Sequence, residues 1–297
     1  MSKFDFEALR TSRAENPAAI TRALADRKRR PLTRGDGKLF IVACDHPARG
    51  ALAVGSDPVA MADRYDLLER LATALQRPGV DGVLGTPDII EDLALMGLLD
   101  DKVVVGSMNR GGLRGSTFEM DDRYTAYDID SMVRDGLDFA KNLVRINLAD
   151  PATVATLEAT ARAVDDAVRA ELPIMLEPFM STWVNGKIIN DLSTDAVILS
   201  IAIAAGIGNS SRQSWLKLPV VPEMERVMAS TTLPTLLLGG DPNGDPDEMY
   251  ASWQNALSLP GVRGLVVGRS MLYPQSGTVE DAIDTAANLV HQSKEGN

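Results

Sequence analysis

Four side chains in this sequence have the chemistry to act together: two lysines and two carboxylates, each in or at the end of a short apolar run. Lys217 lies within Ser-Trp-Leu-Lys-Leu-Pro, where an ammonium is expensive to bury. Lys141 has a similar setting in Phe-Ala-Lys-Asn-Leu-Val-Arg-Ile-Asn. Asp45 follows Lys-Leu-Phe-Ile-Val-Ala-Cys, and Glu177 closes Leu-Pro-Ile-Met-Leu-Glu. Desolvation and a neighbouring cation both favour the neutral form of an amine, the form that attacks a carbonyl to make a Schiff base. Either lysine alone is explained more simply as half of a buried ion pair with Asp45 or Glu177. Two lysines and two carboxylates at one mouth favour catalysis, with Lys217 as the nucleophile and Lys141 as the nearby cation.

Metal chemistry is limited by the histidine count. Zinc-dependent aldolases and most zinc hydrolases take several histidines as ligands. This chain has 2 His, and His291 stands in the polar C-terminal tail, so a three-histidine zinc centre cannot be built. Magnesium on Asp45, Glu177 and Asp241 needs only carboxylates and stays open as a rival. The covalent route needs no metal and no cofactor. Gly239-Gly240 and Gly268-Arg269-Ser270 end two successive apolar runs late in the chain. Glycines let backbone amides approach an anion and arginine pairs with it in fork geometry, so these residues are expected to hold a phosphate. The plainer account is that the glycines turn the chain and Arg269 makes a surface ion pair. Asn109, at the head of Asn109-Arg110-Gly111-Gly112, together with Arg145 and His46, completes the set of candidate substrate-binding residues. His46 beside Pro47 is a weaker acid–base candidate than Asp45. Cys44 has no histidine–asparagine arrangement to make it a nucleophile.

The elements that must carry these residues follow a regular rhythm. Short apolar runs begin at Lys38, Val80, Lys102, Phe139, Leu172, Ser214, Leu233 and Val262, and helical patterns follow them. The runs are continuous rather than alternating, as for parallel strands buried on both faces. A capping residue followed by proline marks helix starts at Asp57-Pro58, Thr86-Pro87, Asp150-Pro151 and Asp245-Pro246. Eight strands in seven intervals of about 32 residues fit βα units, and eight units predict a (β/α)8 barrel with its active site at the C-terminal ends of the strands. A doubly wound open sheet is the rival, but no G-x-G-x-x-G follows the first strand. The expected organisation is an N-terminal helical extension over 1–33, a barrel over 34–290 and a tail over 291–297. The capped segment from Asn16-Pro17 to Arg30 is expected to close the barrel bottom as a helix. Its basic end, Arg27 to Arg30, is short and lacks aromatics, which argues against a nucleic-acid patch.

Composition supports this reading. The chain has 297 residues, 45% hydrophobic and 24% charged, and a formal charge of −11. An acidic surface repels nucleic acid and anionic lipid, though a local basic pocket can still take a phosphorylated small molecule. A single cysteine fits a reducing compartment. The start, Met-Ser-Lys-Phe-Asp-Phe, does not read as a signal peptide, and the run Ala196–Gly208 is too short to span a bilayer. A cytoplasmic enzyme is the expectation, and the apolar helix from Ala196 to Ile207 could face a partner subunit in a homo-oligomer.

Over nearly all of the barrel the sequence resembles the class I aldolases of the fructose- and tagatose-bisphosphate and deoxyribose-phosphate aldolase superfamily. The stretches that carry the resemblance are ACDHPARG, DFAKNLVRIN, MLEPF, SWLKLPVV, LLLGGDP and GLVVGRS. In that superfamily an Asp ends strand 1, a Lys sits on strand 4, a Glu follows strand 5 and the Schiff-base Lys is on strand 6. Asp45, Lys141, Glu177 and Lys217 match those places. Gly239, Gly240, Gly268 and Arg269 match its phosphate site. More narrowly, the chain looks like an actinobacterial aldolase-like branch associated with myo-inositol breakdown. That resemblance implies cleavage of 2-deoxy-5-keto-gluconate 6-phosphate to dihydroxyacetone phosphate and malonate semialdehyde. One departure is Asp-His-Pro at the end of strand 1, where many relatives carry Asp-His-Gly or Asp-Gln-Arg.

Overall fold

Eight of the apolar runs form parallel strands that close on themselves. The computed structural model of the chain describes residues 4–109, 112–239 and 244–291. In chain order the strands are β1 (Leu39–Cys44), β2 (Gly82–Gly85), β3 (Val103–Ser107), β4 (Phe139–Ile146), β5 (Ile174–Val184), β6 (Lys187–Asn190), β7 (Ser214–Leu218), β8 (Thr235–Leu238) and β9 (Val262–Val267). Each barrel strand pairs in parallel with its neighbours, β1 with both β2 and β9, and the β4–β5 pairing completes the ring. Among the strands of the described residues only β6 is antiparallel, added to the far end of β5. This is the α/β barrel that the strand rhythm predicts.

The helices are α1 (Phe6–Glu15), α2 (Ala18–Ala25), α3 (Arg64–Leu75), α4 (Pro87–Leu95), α5 (Ile129–Arg134), α6 (Ala152–Ala170), α7 (Thr194–Ala205), α8 (Met224–Ala229), α9 (Pro246–Leu257), α10 (Arg269–Leu272) and α11 (Val279–His291). Strand side chains alternate between two apolar layers. Phe40, Val42 and Cys44 join the layer between strands and helices. Leu39, Ile41 and Ala43 face the interior with Leu84, Val105, Phe139, Met175, Leu236 and Val266. This interior floor decides where the next inward residue of each strand must lie. No helix among the described residues is long and apolar enough to cross a membrane.

Three expectations need correction. Asp57-Pro58 does not start a helix: Asp57 pairs in a turn with Val54, and α3 begins at Arg64, capped by Asp63, whose carboxylate accepts from the amides of Tyr65 and Asp66. The fifth strand does not stop at Glu177 but runs to Val184, because Asn185 and Gly186 both adopt positive φ and turn it into β6. At the N-terminus, α2 packs on the flank of the barrel against α4, and Arg13 of α1 pairs with Asp92 at 2.6 Å. The basic run after α2 is what meets the strand starts. Arg27 pairs with Asp138 at 3.0 Å, Arg30 pairs with Asp81 at 2.6 Å, and Leu32 packs on the interior floor. The side chains of Arg27 and Arg30 are buried, so this charge serves the fold.

Candidate active site

Alternation along the strands places the four charged residues. Ala43 faces inward, so Asp45 does; Phe139 precedes Lys141, Met175 precedes Glu177, and Trp215 precedes Lys217 at the same two-residue step. Ser107 continues the series from Val105 on β3. Beneath this layer Phe139 and Trp215 meet edge to face with ring centroids 5.4 Å apart. All five polar residues are buried on that apolar floor, where charges act on each other strongly.

The side chains form one connected chain. Lys141 Nζ lies 3.0 Å from Asp45 Oδ2 and 2.6 Å from Glu177 Oε2. Lys217 Nζ lies 2.6 Å from the other Glu177 oxygen, Oε1. Ser107 Oγ donates to Asp45 Oδ2 at 3.1 Å. The two lysines therefore differ in kind. Burial disfavours charge on both, but Lys141 sits between two carboxylates and its pKa is raised. Lys217 has a single carboxylate contact and faces Lys141, so burial prevails and its pKa falls. Burial alone would raise the carboxylates; Lys141 first, with Lys217, instead holds both Asp45 and Glu177 below the usual range. The result is a lysine poised to lose its proton beside one that keeps it.

The same geometry bears on the magnesium alternative. The Lys141 ammonium already bridges Asp45 and Glu177, occupying the position a divalent cation would need between them. Asp241, the third residue of that set, lies outside the described residues. Among the described residues no cluster of three or more His, Cys, Asp or Glu could hold a metal.

A cavity of about 680 Å³ opens above the four charged residues and is large enough for a small-molecule substrate. Gly239, Gly268 and Arg269 line it, so the three described members of the expected phosphate group share one corner. Gly240 lies outside the described residues, as do Arg110 and Gly111. Packing also requires two of these glycines. A Cβ on Gly268 would collide with the Ala43 carbonyl, and one on Gly239 would press into Val267.

His46 lines the cavity, and its Nδ1 is buried without a hydrogen-bond partner, 3.9 Å from Asp45 Oδ1. Burial outweighs Asp45, and Arg269, Lys217 and Arg49 add to it, bringing its pKa down to about 3. The ring is a neutral hydrogen-bonding group at ordinary pH. Cys44 points away from the site into the helix layer, and burial raises its thiol pKa.

Two expected substrate-binding residues are occupied structurally. Asn109 donates to the Leu143 carbonyl at 2.7 Å and accepts from the Leu143 amide at 3.0 Å. Arg145 lines the cavity but pairs with Asp122 at 2.8 Å and Glu119 at 3.1 Å, and it donates to the Glu119 carbonyl. It thereby fastens the long segment between β3 and α5 over the barrel rim. Gly112 is needed there because a Cβ would strike the Arg145 guanidinium.

Two contributors were not identified as functional from the sequence. Ser107 is one of several polar residues at strand ends until the ring brings the ends of β3 and β1, with β2 between them, to one mouth. The β5–β6 hairpin adds Ile188, Ile189 and Asn190 to the cavity wall. Its signal was Trp-Val-Asn-Gly-Lys-Ile-Ile, an Asn-Gly pair between apolar runs.

The chain is 68% identical to Cgl0159 from Corynebacterium glutamicum, whose crystal structure it matches with a TM-score of 0.96 over 98% of both chains. An archaeal fructose-1,6-bisphosphate aldolase, solved with its catalytic lysine covalently bound to the carbinolamine intermediate, matches at 20% identity and a TM-score of 0.63, covering 91% of this chain and 99% of that one. A fructose-bisphosphate aldolase from Slackia heliotrinireducens matches at 12% identity and a TM-score of 0.62, covering 93% of this chain and 85% of that one. These two aldolases share the barrel fold with it. No curated protein is similar to the chain in sequence. The Cgl0159-like family model matches residues 37–287, the whole barrel, and the chain belongs to that family.

Proposed function

We propose that this protein is a class I aldolase that cleaves a phosphorylated keto sugar or keto sugar acid through a Schiff base on Lys217. The observation that carries the reading is the asymmetry of the two buried lysines: Glu177 touches both, Asp45 touches only Lys141, and Lys217 is the one pushed towards the neutral amine. Neutral Lys217 adds to the ketone carbon, and the proton it sheds passes to the alkoxide to give a carbinolamine. Protonation of the carbinolamine hydroxyl releases water and leaves an iminium. A carboxylate then takes the proton from the hydroxyl two carbons away from the iminium carbon. The intervening carbon–carbon bond breaks, its electron pair moves to the iminium as an enamine, and an aldehyde departs. Protonation of the enamine and hydrolysis free Lys217.

Glu177, 2.6 Å from Lys217 Nζ, is placed for the carbinolamine proton transfers. Asp45, held ionised by Lys141 and Ser107, is placed for the hydroxyl proton. Gly239, Gly268 and Arg269 hold the substrate phosphate, with Gly240 beside them in sequence. The route requires no metal and no cofactor, and a phosphorylated substrate and a single free cysteine support a cytoplasmic enzyme. Of candidate substrates we favour 2-deoxy-5-keto-gluconate 6-phosphate, on the narrower sequence resemblance alone.

The test is borohydride trapping with dihydroxyacetone phosphate as the carbonyl probe. The expected result is a reduced adduct mapped to the peptide containing Lys217 and lost in Lys217→Met. An adduct on Lys141, or none under conditions where an aldol product forms, would overturn the assignment.

A further inference from the structure

The cavity holds more positive charge than the proposed chemistry uses. Six basic side chains line it, Arg49, Arg114, Lys141, Arg145, Lys217 and Arg269, against three acidic ones, Asp45, Glu119 and Glu177, in a chain whose formal charge is −11. All three carboxylates are committed. Asp45 and Glu177 serve the two lysines, and Glu119 pairs with Arg145 and accepts from the Gly115 amide at 2.7 Å. Arg145 is spent on its own loop, and Arg269 belongs to the phosphate corner. Arg49 and Arg114 remain. Among the described residues neither guanidinium makes a hydrogen bond or an ion pair, and both residues line the cavity, Arg49 half-buried and Arg114 exposed at its mouth.

Their position is specific. Arg49 ends the short turn after β1 and Arg114 lies in the loop after β3, and the two loops are joined by the Arg114 amide donating to the Arg49 carbonyl at 2.9 Å. The barrel order β9-β1-β2-β3 puts β1 and β2 between the Arg114 loop and Arg269, which follows β9. The charge of Arg49 acts on Asp45, His46 and Lys141, that is, on the side of the lysine–carboxylate chain reached from β1. Guanidinium groups in a partly enclosed cavity are best satisfied by a group that offers two acceptor oxygens. A neutral polyol end would offer hydroxyl acceptors but no charge to balance the two arginines.

We propose that Arg49 and Arg114 form a second anion subsite, which holds a carboxylate or a second phosphate on the fragment released as the aldehyde. The substrate is then acidic at both ends. This rests on the aldolase reading and extends it from the phosphate corner after β9 to the loops after β1 and β3.

The experiment runs the reaction in the addition direction, with dihydroxyacetone phosphate as donor and three acceptors: malonate semialdehyde, glyceraldehyde 3-phosphate and uncharged glyceraldehyde. The readout is the ratio of kcat/KM for each anionic acceptor over glyceraldehyde, which cancels any loss of folded enzyme or any general effect on Asp45 and Lys141. The natural protein is expected to prefer one anionic acceptor by about thirtyfold or more, as for a charge-assisted bidentate contact. Arg49→Ala and Arg114→Ala should each cut that preference about tenfold, mainly through KM, and the double variant should bring it near one. Whichever acceptor is preferred distinguishes a carboxylate from a phosphate. Equal use of charged and uncharged acceptors, or a preference that survives the double variant, would overturn the subsite while borohydride adducts on Lys217 leave the Schiff-base reading standing. Failure of both adduct formation and addition would remove that reading, and the subsite with it.

Discussion

Replacing Lys141 by Met tests the proposed division of labour between the two lysines. Lys141 and Lys217 bond opposite oxygens of Glu177, each at 2.6 Å. Two unit charges about 5 Å apart repel by about 3 kcal/mol at an effective dielectric near 20, roughly a hundredfold in the fraction of neutral amine. Removing Lys141 also leaves Lys217 as the nearest cation to both Asp45 and Glu177. Each change raises the affinity of Lys217 for its proton. In Lys141→Met the acid limb of kcat/KM should therefore move to higher pH. Activity near neutrality should fall by roughly a hundredfold, with much of it regained in alkaline buffer. Lys141→Arg keeps the charge and should keep the limb near its original position, even if misplaced atoms lower the plateau. Borohydride should still trap substrate on Lys217 in both variants. Breaking a buried pair costs about 3–5 kcal/mol, so a thermal melt must confirm that the Met variant is folded. A loss that is equal at every pH, or one that Lys141→Arg shares with its limb displaced, would refute the electrostatic role.

Three further outcomes follow from other parts of the molecule. Arg269→Ala should lower kcat/KM for a phosphorylated ketose by about thirtyfold, near 2 kcal/mol, and much less for the unphosphorylated sugar; equal losses on both would show that Arg269 supports the fold. Arg145→Ala strands the buried Asp122 and Glu119, so it should lower unfolding stability in denaturant by about 3–5 kcal/mol and loosen the 112–128 segment to proteolysis, whereas a purely substrate-binding arginine would leave both unchanged. His291, hydrogen-bonded to Asp36 at 2.6 Å and paired with Asp81 at 3.1 Å, has its pKa raised to about 9. Because that lies above an unfolded value near 6.5, its stabilisation is complete below that pH and is lost as pH rises through about 9. His291→Gln should lower Tm by about 3 °C at pH 6 and by little at pH 10; a gap that widens with pH would contradict the sign.

The barrel was legible because its strands are eight continuous apolar runs at a regular spacing, with no G-x-G-x-x-G after the first to favour an open doubly wound sheet. That Asp45, Lys141, Glu177 and Lys217 lie in or at the ends of strands was legible too; their shared inward face follows once Ala43, Phe139, Met175 and Trp215 are seen to face the interior. What could not be read was anything that depends on which strands are neighbours. Arg145 shares the inward face of β4 with Lys141 and looked equally available for substrate. Only the fold brings Asp122 and Glu119 back from the β3–α5 segment to take its guanidinium. Asp57-Pro58 carried the same cap signal as Asp245-Pro246, but the chain turns back on Val54 before a helix can start, and Asp63 caps α3 instead.

The order of the two lysines shows the same dependence on pairing. In sequence, Lys217 and Lys141 are alike: each lies in an apolar strand, and desolvation lowers the proton affinity of both. The difference comes from how the side chains meet. β5 lies between β4 and β7, so Glu177 reaches both lysines. β1 is three strands from β4 and three from β7, so strand order alone does not choose between them; Ser107 on β3, next to β4, donates to Asp45 Oδ2, the oxygen that also takes Lys141. One lysine thus has one carboxylate to itself and a share of the second, and the other has only the shared one. Under the proposed mechanism the choice of nucleophile therefore follows from which lysine Asp45 contacts, with the apolar setting of Lys217 as a necessary condition that Lys141 also meets.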